Sequence, residues 1–175
     1  MRPGRLKHWD YGSAGFYFVT FNTHQKQNFF GKIISEGSQN IATPAAARLE
    51  PTVIGKVAIE NWRNIPEHFP FVVVDEFVVM PDHVHGLLYF DLPPRIGGAK
   101  NKFGPQSQNL GSVIRGYKAS VKAYATANKI EFKWQSSYQC NIVWGMESLI
   151  RVRNYIRANP RKWLEKKMRS KISLT

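Results

Sequence analysis

Short aromatic and β-branched runs dominate the apolar positions of the chain and predict three strands. Residues 15–21, GFYFVTF, follow a glycine-rich turn and precede an Asn-Thr pair, which is typical of a strand. Residues 71–80, FVVVDEFVVM, and 84–90, VHGLLYF, are separated by only three residues and predict an antiparallel pair. Because 71–80 is almost continuously apolar, we expect it at the centre of the sheet. Turn-like residues within 29–41 predict a small hairpin.

Three other segments have apolar residues at helical spacing. The first extends from Thr43 to about Asn64, and the second covers residues 110–128. The third begins near Met146, and we expect it to be interrupted at Asn159-Pro160, because proline disfavours helical geometry in the residue before it.

The order of these elements predicts an α+β fold. We expect a ferredoxin-like antiparallel sheet with helices packed on one face, formed by a single domain over 1–175. Residues 91–109, rich in Pro and Gly, are expected to form a flexible loop, and 164–175 a basic tail. No apolar run reaches the roughly 18 residues of a membrane span, and the amino-terminal residues lack the apolar centre of a signal peptide, so we expect a cytoplasmic protein.

Positive charge is concentrated in the second half of the chain. The sequence has 25 Lys and Arg against 12 Asp and Glu, a formal charge of +13. Residues 1–94 carry eight basic and nine acidic residues, whereas 95–175 carry 17 and three. Such asymmetry indicates a polyanion partner, because Lys and Arg displace counterions from phosphates. A merely solvated surface is the alternative, and an anionic membrane is disfavoured because neither basic segment has a clean apolar face.

His83 and His85 form the most specific candidate site. On an extended segment, residues i and i+2 point to the same side, so both imidazoles project together. Neutral imidazole binds divalent first-row metals, and two such ligands leave coordination positions for a phosphate oxygen and water. Taken alone, the pair is equally consistent with two surface histidines at a strand start.

Tyr155 and Asn159 form a second candidate site. Four residues apart on a helix, they share one face, so a phenol and an amide can address the same point. The alternatives are that Tyr155 packs its ring on the sheet and that Asn159 caps a new helix beginning at Pro160.

Together these features resemble the HUH single-strand endonucleases, and within them the one-tyrosine transposases of small insertion sequences. The resemblance covers most of the chain and is carried by the segments GFYFVTFNT, VVMPDHVHGLLYF, LGSVIRGYKAS, WQSSY and YIRANPRKW. The Asn-Pro pair after the tyrosine points to the REP-associated tyrosine transposase branch, since the other main branch usually has Gln at the Asn159 position.

The resemblance implies a metal-dependent transposase. His83 and His85 would bind a divalent ion, Mg²⁺ or Mn²⁺, with Asn159 as the third polar group near it. Tyr155 would attack single-stranded DNA to give a 5′-phosphotyrosine link and a free 3′-hydroxyl, and the strand could then be rejoined without ATP.

The implied partner is single-stranded DNA with hairpins, such as repetitive palindromic or element-end sequences, and no membrane. Both a homodimer and a monomer are consistent with the resemblance. Unpaired bases would stack on aromatic residues such as Tyr117 or Trp134. The candidate DNA-binding residues are Arg115, Lys118, Lys122, Arg151, Arg153, Arg157, Arg161 and Lys162.

One stretch departs from the family pattern. Members of this branch commonly carry an acidic residue or histidine shortly after the Trp-Gln segment, where this chain has Gln139-Cys140-Asn141. If that position assists proton transfer or the metal, catalysis is slower or absent. Two further functions therefore stay open: a non-catalytic DNA- or RNA-binding module of the same fold, and a metal phosphodiesterase that uses water and needs no tyrosine.

Overall fold

The structure is a computed structural model that describes residues 9–36, 46–93 and 108–172. Its strands are β1 (Gly15–Asn22), β2 (Gly31–Glu36), β3 (Ala46–Pro51), β4 (Val72–Val79), β5 (His83–Phe90) and β6 (Gln139–Val143). Its helices are α1 (Val53–Arg63), α2 (Ile65–His68), α3 (Leu110–Ala127) and α4 (Gly145–Ile172), and a single 3₁₀ turn, His24–Lys26, follows β1.

Four strands form one antiparallel sheet in the order β4-β5-β1-β6. With α1 between β1 and β4 and α3 between β5 and β6, the chain follows the βαββαβ order of a ferredoxin-like fold. The predicted α+β class is therefore confirmed. The strands β1 and β5 are the two central ones, so they are the most firmly positioned part of the sheet.

Helices cover both faces of the sheet, and the expectation of helices on one face is wrong. One core lies between the sheet and helices α1 and α3, and includes Val19, Phe21, Trp62, Val84 and Tyr117. A second core lies between the opposite face and α4, and includes Phe18, Leu87, Val143, Leu149 and Ile156. Successive residues of β1 and β5 point to alternate faces, so each strand contributes to both cores.

The strand β4 lies at the edge of the sheet rather than at its centre. A continuous apolar run is typical of a strand covered on both faces, which usually means a central strand. Here α1 and α2 contact one side of β4 and α4 contacts the other. Helices therefore contact both faces of this edge strand, although Val73 stays 49% exposed, and its apolar sequence resembles that of a central strand.

The predicted helix from Thr43 and the predicted hairpin within 29–41 both need correction. Residues 46–51 form β3, which pairs with β2, so the hairpin closes with a later strand than expected. The helix begins only at Val53, after Thr52, whose hydroxyl accepts a hydrogen bond from the Gly55 amide at 3.1 Å. Pairing with β2 outweighs the helical preference of Ala, Arg, Leu and Glu in this segment.

The carboxy-terminal helix continues through Pro160, contrary to the predicted interruption. Pro160 is buried, and packing compensates for the amide hydrogen bond that proline cannot make. The helix also includes most of the segment predicted as a basic tail. The predicted loop 91–109 lies mostly outside the described residues, and no helix within the described ranges has the length and hydrophobicity to cross a membrane.

We predict that Gly86→Ala destabilises the fold by about 2–3 kcal/mol, since overpacking a core forces strain on its neighbours. A Cβ at Gly86 would lie 2.0 Å from the ring of Trp62, which is fully buried. Gly111→Ala is the matched control, because its nearest contact would be 3.2 Å away. Urea denaturation measures both variants, and equal midpoints for the two would contradict this account of the core.

Candidate active site

Both histidines lie at the start of β5, on the sheet face that α4 covers. In the β1–β5 ladder, His83 pairs with Asn22 and His85 pairs with Thr20. Val84, between them, points to the opposite face and is fully buried. The two imidazole rings are 4.6 Å apart between centroids, so the geometry predicted from their spacing is present.

The Nδ1 atom of each histidine has a partner on the protein. The Asp82 carboxylate contacts Nδ1 of His83, and the Thr20 hydroxyl forms a 2.7 Å hydrogen bond with Nδ1 of His85. Such contacts fix the orientation of a metal-binding histidine and direct its other nitrogen outward. The Nε2 atoms are therefore the ones available to a ligand.

His85 is neutral over the ordinary pH range. Burial, together with a smaller repulsion from His83, lowers the pKa of His85 from 6.5 to about 3. A neutral ring has one proton and one lone pair, and in the tautomer in which Nδ1 donates to the Thr20 hydroxyl the lone pair lies on Nε2. That tautomer can accept a hydrogen bond or coordinate a cation.

Helix α4 brings Tyr155 to this pair. The Tyr155 hydroxyl lies 3.4 Å from Nε2 of His85, and the tyrosine ring packs edge-on against Phe18 and the His85 ring. The side chain is 41% exposed, whereas Ile156 beside it is 1% exposed and anchors the helix in the core. The phenol is therefore held at the surface of the groove and is accessible from solvent.

Asn159 lies one turn beyond Tyr155. Its Nδ2 donates to the Tyr155 carbonyl at 3.2 Å, which leaves Oδ1 as an acceptor. Asn159 lines the same groove as the histidines and the tyrosine. The alternative role as a cap for a new helix at Pro160 is excluded, because α4 is continuous there.

The four predicted residues surround one open groove of about 610 Å³. Its other lining residues on β1 and the following turns are Thr20, Asn22, Lys26 and Asp82. Those on α4 are Lys162, Trp163, Lys166 and Lys167. The groove thus combines a histidine pair, a phenol and several ammonium groups, which suits a phosphate-containing ligand.

Two ion pairs hold α4 on β4. Nε of Arg153 donates to Asp75 at 2.8 Å, and Nε of Arg157 donates to Glu76 at 2.8 Å. Adjacent strand residues normally point to opposite faces. Here the register shifts between Val74 and Glu76, and this bulge lets both carboxylates reach arginines one helical turn apart.

Of the predicted DNA-binding residues, Lys162 lines the groove and the others do not. Arg151 pairs with Glu147 and Arg161 with Glu165 along α4. The three predicted DNA-binding residues on α3 donate hydrogen bonds within the protein. Arg115 donates to the Ser112 hydroxyl, Lys118 to the carbonyl of Gln135, and Lys122 to the carbonyl of Phe132. Their roles in DNA binding stay predictions.

The two aromatic residues expected to stack on bases are structural. Tyr117 is 3% exposed and donates its hydroxyl to the Ala58 carbonyl at 3.0 Å. Trp134 packs against the same core and donates to the Lys118 carbonyl at 3.0 Å. Both rings are engaged with α1, α3 and their loops, so a role in stacking on bases is not supported.

Several residues of the groove were missed by sequence reasoning. Asp82 precedes the histidine pair directly, and its carboxylate could have been recognised as a partner for His83. Thr20 and Asn22 alternate with buried residues of β1, but only the pairing with β5 reveals that they face the site. The run Gln139-Cys140-Asn141 lies on the edge strand β6, with Cys140 buried, and is absent from the groove lining.

Comparison with solved structures identifies a protein of similar fold. Over 93% of its length it superposes on the structure of the REP-associated tyrosine transposase bound to a REP hairpin, with a TM-score of 0.55, 15% sequence identity and 74% of that chain covered. The chain therefore shares the fold of that tyrosine transposase, as the resemblance implied.

The family assignment follows from sequence. The chain is 33% identical over 171 residues to an uncharacterized protein of Haemophilus influenzae (strain ATCC 51907 / DSM 11121 / KW20 / Rd), covering 93% of this chain and 89% of the relative. It belongs to the same family as that protein. No family model matches the chain.

We predict that the Arg153–Asp75 pair shows a larger coupling to stability than an exposed ion pair, because Asp75 is largely buried and the guanidinium donates two hydrogen bonds to its carboxylate. A double-mutant cycle with Arg153→Ala and Asp75→Ala measures it. The Arg151–Glu147 pair is the control, since its side chains are 67% and 85% exposed and such pairs contribute about 0.3–0.5 kcal/mol. Equal coupling in both cycles would contradict a clamping role for Arg153.

Proposed function

We propose that this protein is a metal-dependent tyrosine transposase that nicks and rejoins hairpin-bearing single-stranded DNA. The observation that carries the proposal is the 3.4 Å approach of the Tyr155 hydroxyl to His85 Nε2 in an accessible groove. A protein that only binds DNA has no need to hold a phenol beside two oriented imidazoles.

The residues of the groove fit a divalent cation. Nδ1 of His83 and Nδ1 of His85 are both engaged, so each ring offers Nε2 as a ligand atom. Among the described residues no cluster of three or more His, Cys, Asp or Glu is present. The Asn159 amide oxygen is the third candidate ligand on the protein, and oxygen ligands suit Mg²⁺ or Mn²⁺. When bound, such an ion supplies Lewis-acid stabilisation of the phosphate oxygens.

The proposed reaction is a phosphoryl transfer to tyrosine. The Tyr155 oxygen attacks the phosphorus, the bond from phosphorus to the 3′ oxygen breaks, the phenol proton leaves to solvent, and the 3′ oxygen takes up a proton. The products are a 5′-phosphotyrosine and a free 3′-hydroxyl. Attack of another 3′-hydroxyl on the phosphotyrosine reverses these steps and rejoins the strand. The number of phosphodiester-type bonds is unchanged, so no nucleotide cofactor is needed.

Two features support DNA as the partner. The excess positive charge of residues 95–175 suits a polyanion. The transposase of the same fold was solved with a REP hairpin, and we extend hairpin recognition from that protein to this chain as part of the proposal.

We predict that wild-type protein forms a covalent adduct with hairpin-bearing single-stranded DNA in Mn²⁺ and that Tyr155→Phe abolishes it. Denaturing electrophoresis of labelled DNA detects the adduct. Tyr124→Phe is the matched control, since Tyr124 is 38% exposed against 41% for Tyr155 but lies on α3. Tyr124→Phe should retain the adduct at the wild-type level.

Two outcomes of that experiment would contradict the proposal. Cleavage retained by Tyr155→Phe without an adduct indicates a phosphodiesterase that uses water. Absence of both cleavage and adduct across a broad set of hairpins, with binding retained, indicates a non-catalytic DNA-binding module.

We also predict that the histidine pair governs metal affinity. His83→Asn should lower Mn²⁺ affinity at least tenfold, and Asp82→Asn should lower it about 10–100-fold because the imidazole loses its orienting partner. Isothermal titration calorimetry on DNA-free protein measures both. His68→Asn is the control, because His68 is exposed on α2 and is not part of the groove. Unchanged Mn²⁺ affinity in His83→Asn would contradict the proposed metal site at the histidine pair.

A further inference from the structure

The positive charge inside the groove comes from lysines. Lys26, Lys162, Lys166 and Lys167 line it, while Asp82 is the acidic residue among the lining side chains and contacts His83. Lys162 lies beside the nucleophile, with Nζ 5.4 Å from the centre of the Tyr155 ring. The described lining of the groove therefore has more lysines than carboxylates and carries an excess of positive charge.

The arginines of α4 differ from these lysines. Arg151, Arg153, Arg157 and Arg161 each pair with a carboxylate of this chain. Two of those pairs hold α4 on β4, and the other two join residues one turn apart on the helix. Arg153 and Arg157, whose carboxylate partners are largely buried, contribute less to an incoming phosphate, because the existing carboxylate must first be displaced.

Helical spacing places two lysines in line with the nucleophile. Positions 155, 159, 162 and 166 follow the i, i+4, i+7, i+11 spacing of one helix face, and all four line the groove. At 1.5 Å per residue, Lys166 lies about 16 Å along the axis from Tyr155. A stacked strand advances about 3.4 Å per nucleotide, so this distance corresponds to about five nucleotides.

Lys26 reaches the groove from a fixed turn at the end of β1. Both Gln25 and Lys26 have positive φ, at 52° and 54°, which is uncommon for residues other than glycine. The turn is held by Thr23, which is fully buried and whose hydroxyl donates to the carbonyls of Gln27 at 2.7 Å and Asp82 at 3.0 Å. An uncommon backbone conformation fixed next to a site is typical of functional residues.

From these observations we propose that Lys26, Lys162 and Lys166 form a phosphate-binding track for the single strand that enters the groove beside Tyr155. The track rests on the proposed function for the identity of the strand. Lys162 and Lys166 contact successive parts of the backbone along α4, and Lys26 contacts it from the opposite wall. Arg153 and Arg157 position the helix on β4, and these lysines hold the DNA.

The test measures how binding of a fluorescent single-stranded oligonucleotide depends on salt. Fluorescence anisotropy in EDTA, where no cleavage takes place, gives the slope of log K against log salt concentration. Each lysine–phosphate contact on a single strand contributes about 0.7 to that slope. Lys162→Gln with Lys166→Gln should therefore lower the slope by about 1.4, and Lys26→Gln alone by about 0.7.

The control removes the same charge elsewhere. Lys56→Gln with Lys129→Gln takes two exposed lysines from α1 and the end of α3, on the other face of the sheet. This variant should keep the wild-type slope. An unchanged slope in the Lys162/Lys166 variant, or an equal fall in the control, would overturn the track, as would absence of binding by the wild type.

The experiments distinguish failure of the phosphate-binding track from failure of the proposed function. If the lysine variants lower the slope but the wild type forms no covalent adduct in Mn²⁺, the track stands and strand transfer is wrong. If the adduct forms but the slope is insensitive to these lysines, strand transfer stands and the track is wrong.

Discussion

Attachment of α4 to the sheet is the constraint on which the site depends, because the phenol and the histidines come from elements 70 residues apart in sequence. Apolar packing at Leu149 and Ile156 places the helix over the sheet. The ion pair between Arg153 and Asp75 then fixes the helix on the edge strand. The bulge in β4 is essential to this arrangement, because without it consecutive carboxylates would point to opposite faces. The site is thus assembled by tertiary packing rather than by any local motif.

The basic residues of α4 have two different roles, attachment of the helix to the sheet and contact with the ligand in the groove. Before Pro160, arginines are paired with carboxylates and hold the helix in place. On the groove face, Lys162 and Lys166 lie in line with Tyr155. Arginine suits the first task because its planar guanidinium binds a carboxylate through two nitrogens, whereas lysine provides a compact charge on a flexible stem for a mobile phosphate backbone. The net charge of +13 already subtracts the carboxylates in these pairs, so the excess positive charge belongs to the other basic side chains, among them the groove lysines.

Sequence reasoning predicted the α+β class, the strands β1, β4 and β5 and the helix α3, because each depends on local periodicity. Spacing placed His83 beside His85 and Tyr155 beside Asn159, but only the family resemblance joined the two pairs into one site. It failed where tertiary contacts determine the type, position or length of an element. Residues 46–51 have the composition of a helix but form a strand because they pair with β2. The apolar run of β4 predicted a central strand, whereas β4 is an edge strand that helices contact. Pro160 predicted an interruption of the helix, but its burial allows α4 to continue. Thr20 was missed for the same reason, since its role follows from its pairing with His85.

The most direct test of the central claim, that α4 presents Tyr155 as the nucleophile of the groove, is to locate the modified residue. After reaction with hairpin-bearing single-stranded DNA and nuclease trimming, tryptic digestion and tandem mass spectrometry of the protein would identify the peptide that carries the nucleotide. Trypsin cleaves after Arg153 and Arg157, so the account predicts a 5′-phosphonucleotide on Tyr155 within residues 154–157. A nucleotide on any other residue, or the absence of any modified peptide 154–157 from a sample whose DNA remains cleaved, would contradict it.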